Sequence, residues 1–408
     1  MSLPPFINWI DDQQSHMVQT TRDWSNINSG SHNLAGLSHM AKTLATAFAP
    51  TGGEVEMLAS DPMEITDGNG DISKIELGPI LRITKRPHAN RTVLLCGHMD
   101  TVFGQDHPFQ VCGVPKDGEM HGPGTADMKG GIMVMLTALL AFEKSPESEN
   151  LGWQVIINSD EEIGSFGSAR VLKEAAVAAH AGMLYEPSMP DGTLAGARKG
   201  SGNFTVTVKG RAAHAGREHH LGRNAIAATA QIISFLDGLS GKRQGFTVNV
   251  GQITGGGALN VVPDLAQVRF NVRLEATDDQ AWLLKQLEQF LNTVNDQDGI
   301  HAVLSGGFSR PPKPMTPELD RLFALAASCG DSLGISISHI ATGGCCDGNN
   351  LAAAGLANID TLGVRGANIH SDQEYMITES LVERAKLSAL ILHRLAQTSE
   401  SFFSKEAK

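Results

Sequence analysis

Cationic side chains are scarce in this 408-residue chain: 32 Lys and Arg stand against 44 Asp and Glu, which gives a formal net charge of −12. This charge disfavours the phosphate backbone of nucleic acids and anionic membranes as general partners, so we expect neither. Long hydrophobic runs are also missing, because the longest candidate, 130–142, is interrupted by Thr137 and flanked by Lys129 and Glu143. We therefore expect no transmembrane helix.

Cysteine is equally sparse, and its pattern argues against a disulfide framework. The chain has an odd number of cysteines, two of them adjacent and none in C-x-x-C spacing: Cys96, Cys112, Cys329, Cys345 and Cys346. Reduced thiols are the expectation, and a thiolate zinc site is not. The opening segment MSLPPFINWIDDQQ lacks the basic start and continuous apolar stretch of a signal peptide, so we expect a cytoplasmic protein.

The composition, with 41% hydrophobic and 19% charged residues, is that of a globular protein, and the length suggests two or three domains. Apolar runs at 92–96 and 153–158 predict buried strands, and the stretch 128–144 between them predicts a helix. This alternation predicts an α/β fold with a mixed, largely parallel sheet flanked by helices. Further helices are predicted at 33–48, 166–180, 316–334 and 378–397.

The pattern changes near residue 200, where NFTVTVKG alternates apolar and polar residues as a half-exposed strand does. The elements that follow are a predicted helix, two predicted strands and a second helix, at 224–239, 246–253, 266–275 and 278–296. We interpret residues 201–310, closed by the segment RPPKP, as a small α+β domain inserted into a larger one formed by 1–200 and 311–408.

Histidines and carboxylates follow the predicted strands. His98 and Asp100 lie two residues apart after the first strand, a spacing that lets the carboxylate orient the imidazole for metal binding. Asp127 lies where a glycine-rich loop meets a helix, and Glu161 and Glu162 follow the second strand, at the edge where α/β sheets build their sites. A surface turn, a helix cap and a solvated acidic loop are the respective alternatives.

Two further candidates complete a nitrogen and oxygen ligand set. Glu186 follows the apolar stretch GMLY, and His370 lies in NIHSDQEY. Two imidazoles and at least three carboxylates suit zinc, or cobalt and manganese as substitutes. Because five donors exceed the need of one tetrahedral zinc ion, a carboxylate-bridged metal pair is the simplest explanation. Adjacent glutamates point apart, so one can ligate while the other holds a proton.

Two motifs of other enzyme classes are missing from the sequence, because there is no H-E-x-x-H and no G-x-x-x-x-G-K-[ST]. The segment that begins at Gly122 starts like a dinucleotide-binding loop, but Asp127 stands where that loop needs glycine. We therefore expect no nucleotide cofactor.

The chain resembles the family of zinc metallopeptidases and amidohydrolases that includes glutamate carboxypeptidase, acetylornithine deacetylase, succinyl-diaminopimelate desuccinylase and aminoacylase. It is most similar to the glutamate carboxypeptidase branch. Seven motifs occur in the family's order between about residues 90 and 375: GHMDTVFG, GPGTADMKGG, NSDEEIGSFGS, YEPS, GRAAHAG, GGALNVVPD and NIHSDQEY.

The resemblance implies a role for each site residue. Asp127 would bridge two zinc ions, one of them also held by His98 and Glu186 and the other by Glu162 and His370. The remaining catalytic candidates are Asp100, which would support His98, and Glu161, which would be the general base. The resemblance also implies a cis peptide bond between Asp127 and Met128.

The same resemblance makes the insert a lid and a dimer interface. His214 would reach the active site of a partner subunit in a homodimer and polarise the scissile carbonyl, while Asn260 and Arg273 would position the substrate. From the residues alone, His214 in its Gly/Ala loop is weakly informative, and the alternative for Arg273 is a strand residue that faces solvent. A guanidinium is nevertheless the natural clamp for a carboxylate.

The chain departs from the carboxypeptidase branch at ATGGCCDGN, where Cys345 and Cys346 replace a glycine and a small hydroxyl residue. That segment resembles a loop that lines the substrate pocket. Arg198, Lys199 and Arg310 are cationic candidates for an acidic substrate side chain, with ordinary surface charges as the alternative.

The leading hypothesis is a two-zinc hydrolase that cleaves a small peptide or N-acyl amino acid at the amide beside a C-terminal amino acid carboxylate. An N-acyl amino acid deacylase or desuccinylase is the alternative within this class. A metal-binding interaction protein without catalysis is the alternative from another class, although Glu161 would then have no purpose.

Overall fold

A computed structural model describes residues 3–403. Its helices, in chain order, are α1 Pro5–Asn8, α2 Gln14–Ser25, α3 Leu34–Phe48, α4 Gly130–Phe142, α5 Ala169–Ala178, α6 Ala225–Asp237, α7 Asp278–Asn295, α8 Pro317–Leu333, α9 Asp347–Ala353 and α10 Ser380–Gln397. Its strands are β1 Glu54–Leu58, β2 Met63–Thr66, β3 Ile72–Ile75, β4 Ile80–Lys85, β5 Thr92–His98, β6 Glu119–His121, β7 Gly152–Asn158, β8 Ala181–Leu184, β9 Leu194–Arg198, β10 Gly200–Lys209, β11 Thr247–Gly255, β12 Leu265–Leu274, β13 His301–Arg310, β14 His339–Thr342, β15 Asn358–Ile359, β16 Gly366–Ala367 and β17 Tyr375–Ile377.

The larger sheet has six strands in the order β1-β4-β7-β5-β8-β15. Strands β7, β5, β8 and β15 are parallel, while at one side β4 pairs antiparallel with β7 and β1 pairs antiparallel with β4. The mixed, largely parallel α/β sheet is therefore confirmed. In this arrangement β5 lies between β7 and β8, so the carboxyl ends of three parallel strands meet at one edge of the sheet.

Helix α4 fills the interior beside this sheet. It packs against α10, and every residue from Gly130 to Leu139 is buried. The stretch Thr125–Phe142 is long and apolar enough by length and composition to cross a membrane, but 94% of it is buried inside the protein. A helix that is apolar on all sides is typical of the core of a large globular protein.

Residues 200–310 form a second, four-stranded antiparallel sheet in the order β11-β12-β10-β13. Phe204, Val206 and Val208 alternate with polar neighbours along β10 and join a separate hydrophobic cluster with α6 and α7. These helices pack on one face of the sheet. The predicted insert, 201–310, coincides with this layer, and its independence as a domain stays a prediction.

The sequence analysis did not predict some of the helices and strands. Strand β13 was not predicted, because its centre, SGGF, has little strand character. Gly306 is required there, since a Cβ would lie 2.3 Å from the carbonyl oxygen of Asn203 on β10. Helices α1 and α2 and strands β1 to β4 were also missed. Helix α5 begins at Ala169 rather than at 166 because the Asp160 carboxylate accepts the N–H groups of Gly167 and Ser168 and holds them in a turn.

Candidate active site

The predicted site residues meet at the carboxyl edge of the larger sheet. His98 is the last residue of β5, Glu161 and Glu162 form a short turn after β7, and Glu186 follows β8. His370 comes from the loop between β16 and β17, with a φ of 62°. Residues far apart in the chain are adjacent here because parallel strands end at a common edge.

The Asp127 carboxylate lies between the two histidines. Its Oδ1 is 3.1 Å from Nε2 of His98, and its Oδ2 is 3.3 Å from Nε2 of His370. Glu186 lies 3.7 Å from Nε2 of His98, and Glu162 lies 3.1 Å from Nε2 of His370. Each imidazole thus faces one oxygen of Asp127 and one further carboxylate, which is Glu186 for His98 and Glu162 for His370.

The donor set of this cluster fits a pair of divalent metal ions. Donor atoms of His98, Asp127 and Glu162 lie within 4.8 Å of one another, and so do those of His98, Glu161 and Glu186. All are nitrogen or oxygen donors, which suits zinc, cobalt or manganese. Four largely buried carboxylates in one cluster also repel one another unless cations neutralise them.

Burial and the neighbouring imidazoles shift the pKa values of these carboxylates in opposite directions. Burial, reinforced by the charge of Asp127, raises the pKa of Glu162 to about 7. Burial alone would raise the pKa of Asp127, but hydrogen bonds from His370 and His98 hold it below its usual range. The hydrogen bonds that His370 makes with Asp127 and Glu162 raise the pKa of His370 to about 11. The metal-free cluster therefore retains protons that cations would displace.

Asp100 connects β5 to the turn that carries both glutamates. Its carboxylate accepts hydrogen bonds from the backbone N–H groups of Glu161 and Glu162, both at 3.2 Å, and from the Ser31 hydroxyl at 2.7 Å. Nδ1 of His98 lies 3.0 Å from the backbone oxygen of Asp100 and 3.4 Å from its carboxylate. Asp100 is thus placed to orient His98, and Ser31 is a partner that the sequence reading missed.

The peptide bond between Asp127 and Met128 is cis, as the resemblance implied. The loop that contains it is held by Glu374, whose buried carboxylate accepts the N–H groups of Gly124, Ala126 and Asp127 at 3.1, 2.9 and 3.0 Å. The sequence analysis did not identify Glu374 as a site residue. The signal that could have identified it is its place in NIHSDQEY, four residues after His370.

The Arg310 guanidinium holds the Glu161 carboxylate in place. Nη2 of Arg310 lies 2.7 Å from Oε1 of Glu161, and Nη1 lies 3.2 Å from Oδ1 of Asp347. Arg310 is 2% exposed and does not line the cavity that lies beside the metal cluster. We expected Arg310 to contact an acidic substrate, but both sides of its guanidinium are occupied by carboxylates of the protein.

Beside the metal cluster lies a cavity of about 340 Å³, the metal cavity, which is also lined by Arg198, Arg273, Thr342 and Cys345. Arg273 donates to Oδ1 of Asn271 at 3.0 Å and to Sγ of Cys345 at 3.1 Å, and no carboxylate of residues 3–403 pairs with it. Arg273 is therefore a cation available to an anionic ligand.

The other predicted cations differ from Arg273. Arg198 lines the cavity but is bound to the buried Asp360 carboxylate through Nε at 2.5 Å. Lys199 is not among the cavity-lining residues. It donates to the backbone oxygen of Gly245 at 2.9 Å and pairs with Glu275 at 3.2 Å.

His214 and Asn260 are adjacent to each other but do not line this cavity. The N–H of Ala215 donates to the backbone oxygen of Asn260 at 2.9 Å, and His214 forms an isolated bridge with Val261. Both His214 and Asn260 are exposed. Their predicted roles in catalysis need a second subunit and stay predictions.

The fold and the site together define a metal-dependent hydrolase. The model of peptidase family M20/M25/M40 matches residues 94–394, and the chain belongs to this family. The chain is 26% identical over 392 residues to carboxypeptidase G2 of Pseudomonas sp. (strain RS-16), covering 93% of this chain and 89% of that protein. It is 29% identical over 346 residues to succinyl-diaminopimelate desuccinylase of Nitrosospira multiformis, covering 80% and 89% respectively.

Solved structures show the same fold. A metallo-carboxypeptidase of the M20 family from Sulfolobus solfataricus superposes with a TM-score of 0.74 at 17% identity, covering 94% of this chain and 99% of that one. A dinuclear metal-binding peptidase of the M20 family from Bacillus subtilis superposes with a TM-score of 0.66 at 17% identity, covering 95% and 100%.

Proposed function

We propose that this protein is a two-metal hydrolase that cleaves the amide bond beside a C-terminal amino acid carboxylate, as a glutamate carboxypeptidase does. The observation that carries the proposal is the position of Asp127, whose two oxygens face two different imidazoles, each with a further carboxylate of its own. The similarity to the relative named carboxypeptidase G2 supports the same proposal.

The proposed metal ligands are His98 and Glu186 on one side, Glu162 and His370 on the other, and Asp127 between them. Zinc suits this set best, with cobalt and manganese as substitutes. A bound pair of such ions supplies an acidified water and polarises the substrate carbonyl.

Glu161 is the proposed general base. It adjoins Glu162 but bonds to Arg310, and burial raises its pKa well above the usual value for a glutamate. A carboxylate with a raised pKa accepts a proton from water more readily than an ordinary one and can then deliver it to the leaving amine. The proton thus passes through Oε of Glu161 from the attacking water to the product.

Arg273 is the proposed carboxylate clamp of the substrate, with Asn260 as a second positioning group. The guanidinium lines the metal cavity without a carboxylate partner in residues 3–403. A C-terminal carboxylate would provide the two acceptor oxygens that a guanidinium matches best.

An N-acyl amino acid deacylase or desuccinylase is the second candidate. The similarity to succinyl-diaminopimelate desuccinylase favours it, and so does Cys345, whose thiol occupies part of the pocket beside Arg273. Both candidates release a free amino acid from an acyl group, so they differ in the substrate and not in the chemistry.

We also propose a homodimer that forms through residues 201–310. This region exposes several large apolar side chains around the loops of His214 and Asn260: Leu221, Ile226, Ile253, Leu259 and Val261. Sedimentation analysis should give a dimer. Mixed subunits of His214→Ala and Glu161→Gln should recover part of the activity, because one site of the mixed dimer would have both groups; failure to recover would remove His214 from the partner's site.

The experiment that tests the function is a hydrolysis screen monitored by mass spectrometry. The zinc-loaded protein is incubated with dipeptides, acyl glutamates, and N-acetyl, N-succinyl and longer N-acyl amino acids, with a chelator-treated sample as control. Chelator-sensitive release of an amino acid is expected, and the best substrate decides between the two candidates. A protein that holds metal but cleaves none of these substrates would contradict the proposal.

A further inference from the structure

A second cavity of about 480 Å³ lies on the open face of the antiparallel sheet, under the hairpin formed by β2 and β3. We call it the lid groove. Its lining includes Phe166, the carboxylate of Glu64 and the polar side chains of Asn203, Asn249, Arg269 and Asn271. None of these residues lines the metal cavity.

Strand β12 contributes side chains to both cavities, and successive side chains of a strand alternate between the two faces of its sheet. Val268, Phe270 and Val272 point into the core with the helices, so Arg269, Asn271 and Arg273 share the opposite face. Arg273 lines the metal cavity, Arg269 lines the lid groove, and Asn271 joins the two by accepting a hydrogen bond from Nε of Arg273 at 3.0 Å.

A second element also borders both cavities. Glu161 and Glu162 line the metal cavity, while Phe166, a few residues later, lines the lid groove and is 44% exposed. Gly164 lets this segment turn, with a φ of 109°. The lid groove is therefore a neighbour of the metal cavity along two walls.

The chemistry of the lid groove favours an anionic, hydrogen-bonding ligand. Arg269 is exposed, the only described hydrogen bond of its side chain is to the Thr205 hydroxyl at 3.4 Å, and no carboxylate of residues 3–403 pairs with it. Glu64 on the hairpin also lines the groove, but its side chain is 63% exposed and pairs with Lys74 at 3.7 Å. The carboxamides of Asn249 and Gln252 add donors and acceptors on the same face.

We propose that the lid groove binds the distal, carboxylate-bearing end of an elongated acyl group, with Arg269 as the residue that recognises the carboxylate. This inference rests on the proposed function, in which Arg273 takes the carboxylate of the released amino acid and leaves the acyl half to extend from the metal cavity. Arg269 and Arg273 are four residues apart on one strand face, a separation of roughly 13 Å. A short acyl group such as acetyl cannot span that distance.

The test compares two series of substrates that release the same amino acid. One series has dicarboxylic acyl groups from succinyl to sebacoyl, and the other has alkanoyl groups of equal length. In the unmodified protein the ratio of kcat/KM between the dicarboxylic and alkanoyl substrates should rise with chain length. In Arg269→Gln this ratio should fall by about tenfold for the longest pair, because one charge-assisted hydrogen bond is lost.

Acetyl substrates and Lys285→Gln are the matched controls. Lys285 is an exposed cation on helix α7, on the other side of the sheet, and its variant should leave both series unchanged. Acetyl substrates should be cleaved equally by the unmodified protein and Arg269→Gln. An unchanged ratio in Arg269→Gln, or a change that follows the amino acid instead of the acyl group, would overturn the inference. No hydrolysis of any substrate by the unmodified protein would instead contradict the proposed function.

Discussion

Nη2 of Arg310 lies 2.7 Å from Oε1 of Glu161, and the same guanidinium also bonds to the backbone oxygens of Glu161 and Gly164 and to the Ser165 hydroxyl. Its other side faces Asp347 at 3.2 Å. The side chains of the three charged residues are between 2% and 11% exposed. Strand β13, which ends at Arg310, is thereby joined to the turn that carries the proposed base.

Removal of this guanidinium should destabilise the protein strongly. Arg310→Met would leave Glu161 and Asp347 as buried carboxylates without their cation, and we expect a loss of about 3–5 kcal/mol in the free energy of unfolding. Denaturant unfolding measures it. The control is Arg170→Met, which removes a surface cation paired with Asp61, where solvent screening should leave stability nearly unchanged. Equal effects of the two substitutions would contradict the structural role of Arg310.

Glu161→Gln should retain metal and lose turnover. The amide cannot accept the proton of water, so kcat should fall by about 10²–10⁴-fold, the usual contribution of a general base. Metal content is measured by mass spectrometry of the purified protein, and kcat is measured on the best substrate of the screen. Glu174→Gln, on the surface of helix α5, is the matched control. Substantial turnover by Glu161→Gln would remove Glu161 as the base.

Metal removal should lower the melting temperature. Four largely buried carboxylates lose their counter-charge in the apoprotein, and a ligand at 100 times its Kd contributes about 2.7 kcal/mol to stability. Differential scanning fluorimetry with and without chelator should therefore show a decrease of several degrees, reversed by zinc. Asp127→Asn should abolish the zinc response. A zinc response that persists in this variant would place the metal elsewhere.

Metal affinity should increase with pH near neutrality. The pKa of Glu162 is about 7 in the metal-free cluster because of its burial and the charge of Asp127, so its proton must leave before it can ligate. Zinc titrations between pH 6 and pH 8 in two buffers of different ionisation enthalpy should show tighter binding and fewer released protons at the higher pH. Affinity that is independent of pH would contradict this expectation.

Asp360 should contribute stability that disappears in acid. Burial would raise its pKa, but the charges of Arg198 and Lys313 outweigh this effect and lower the pKa to about 2. Since the folded-state pKa lies below the unfolded value of about 3.9, the contribution is present above pH 4 and is lost as the pH falls toward 2. Asp360→Asn should be less stable by about 3–5 kcal/mol at pH 7, with a smaller difference near pH 2. A difference that does not change with pH would exclude the ion pair as its cause.

The sequence alone determined the α/β architecture and the candidates that converge in the site. Apolar runs followed by His98, by Glu161 and Glu162, and by Glu186 predicted their adjacency, because parallel strands present their carboxyl ends at one edge. The cis bond after Asp127 followed from the resemblance and is confirmed. The dimer and the cytoplasmic location stay predictions.

Only the tertiary structure decided which charges are partners and which are available. Arg310, Arg198 and Arg273 were all candidate substrate contacts in the sequence analysis. In the structure Arg310 pairs with Asp347 and Arg198 with Asp360, whereas Arg273 lies in the cavity and no carboxylate of residues 3–403 pairs with it. Glu374 reaches the Asp127 loop from 247 residues away. Such contacts depend on packing between distant segments, whereas local periodicity reports only the face on which a side chain lies. The lid groove also depends on packing between distant segments, because it forms only where the β2–β3 hairpin covers the sheet.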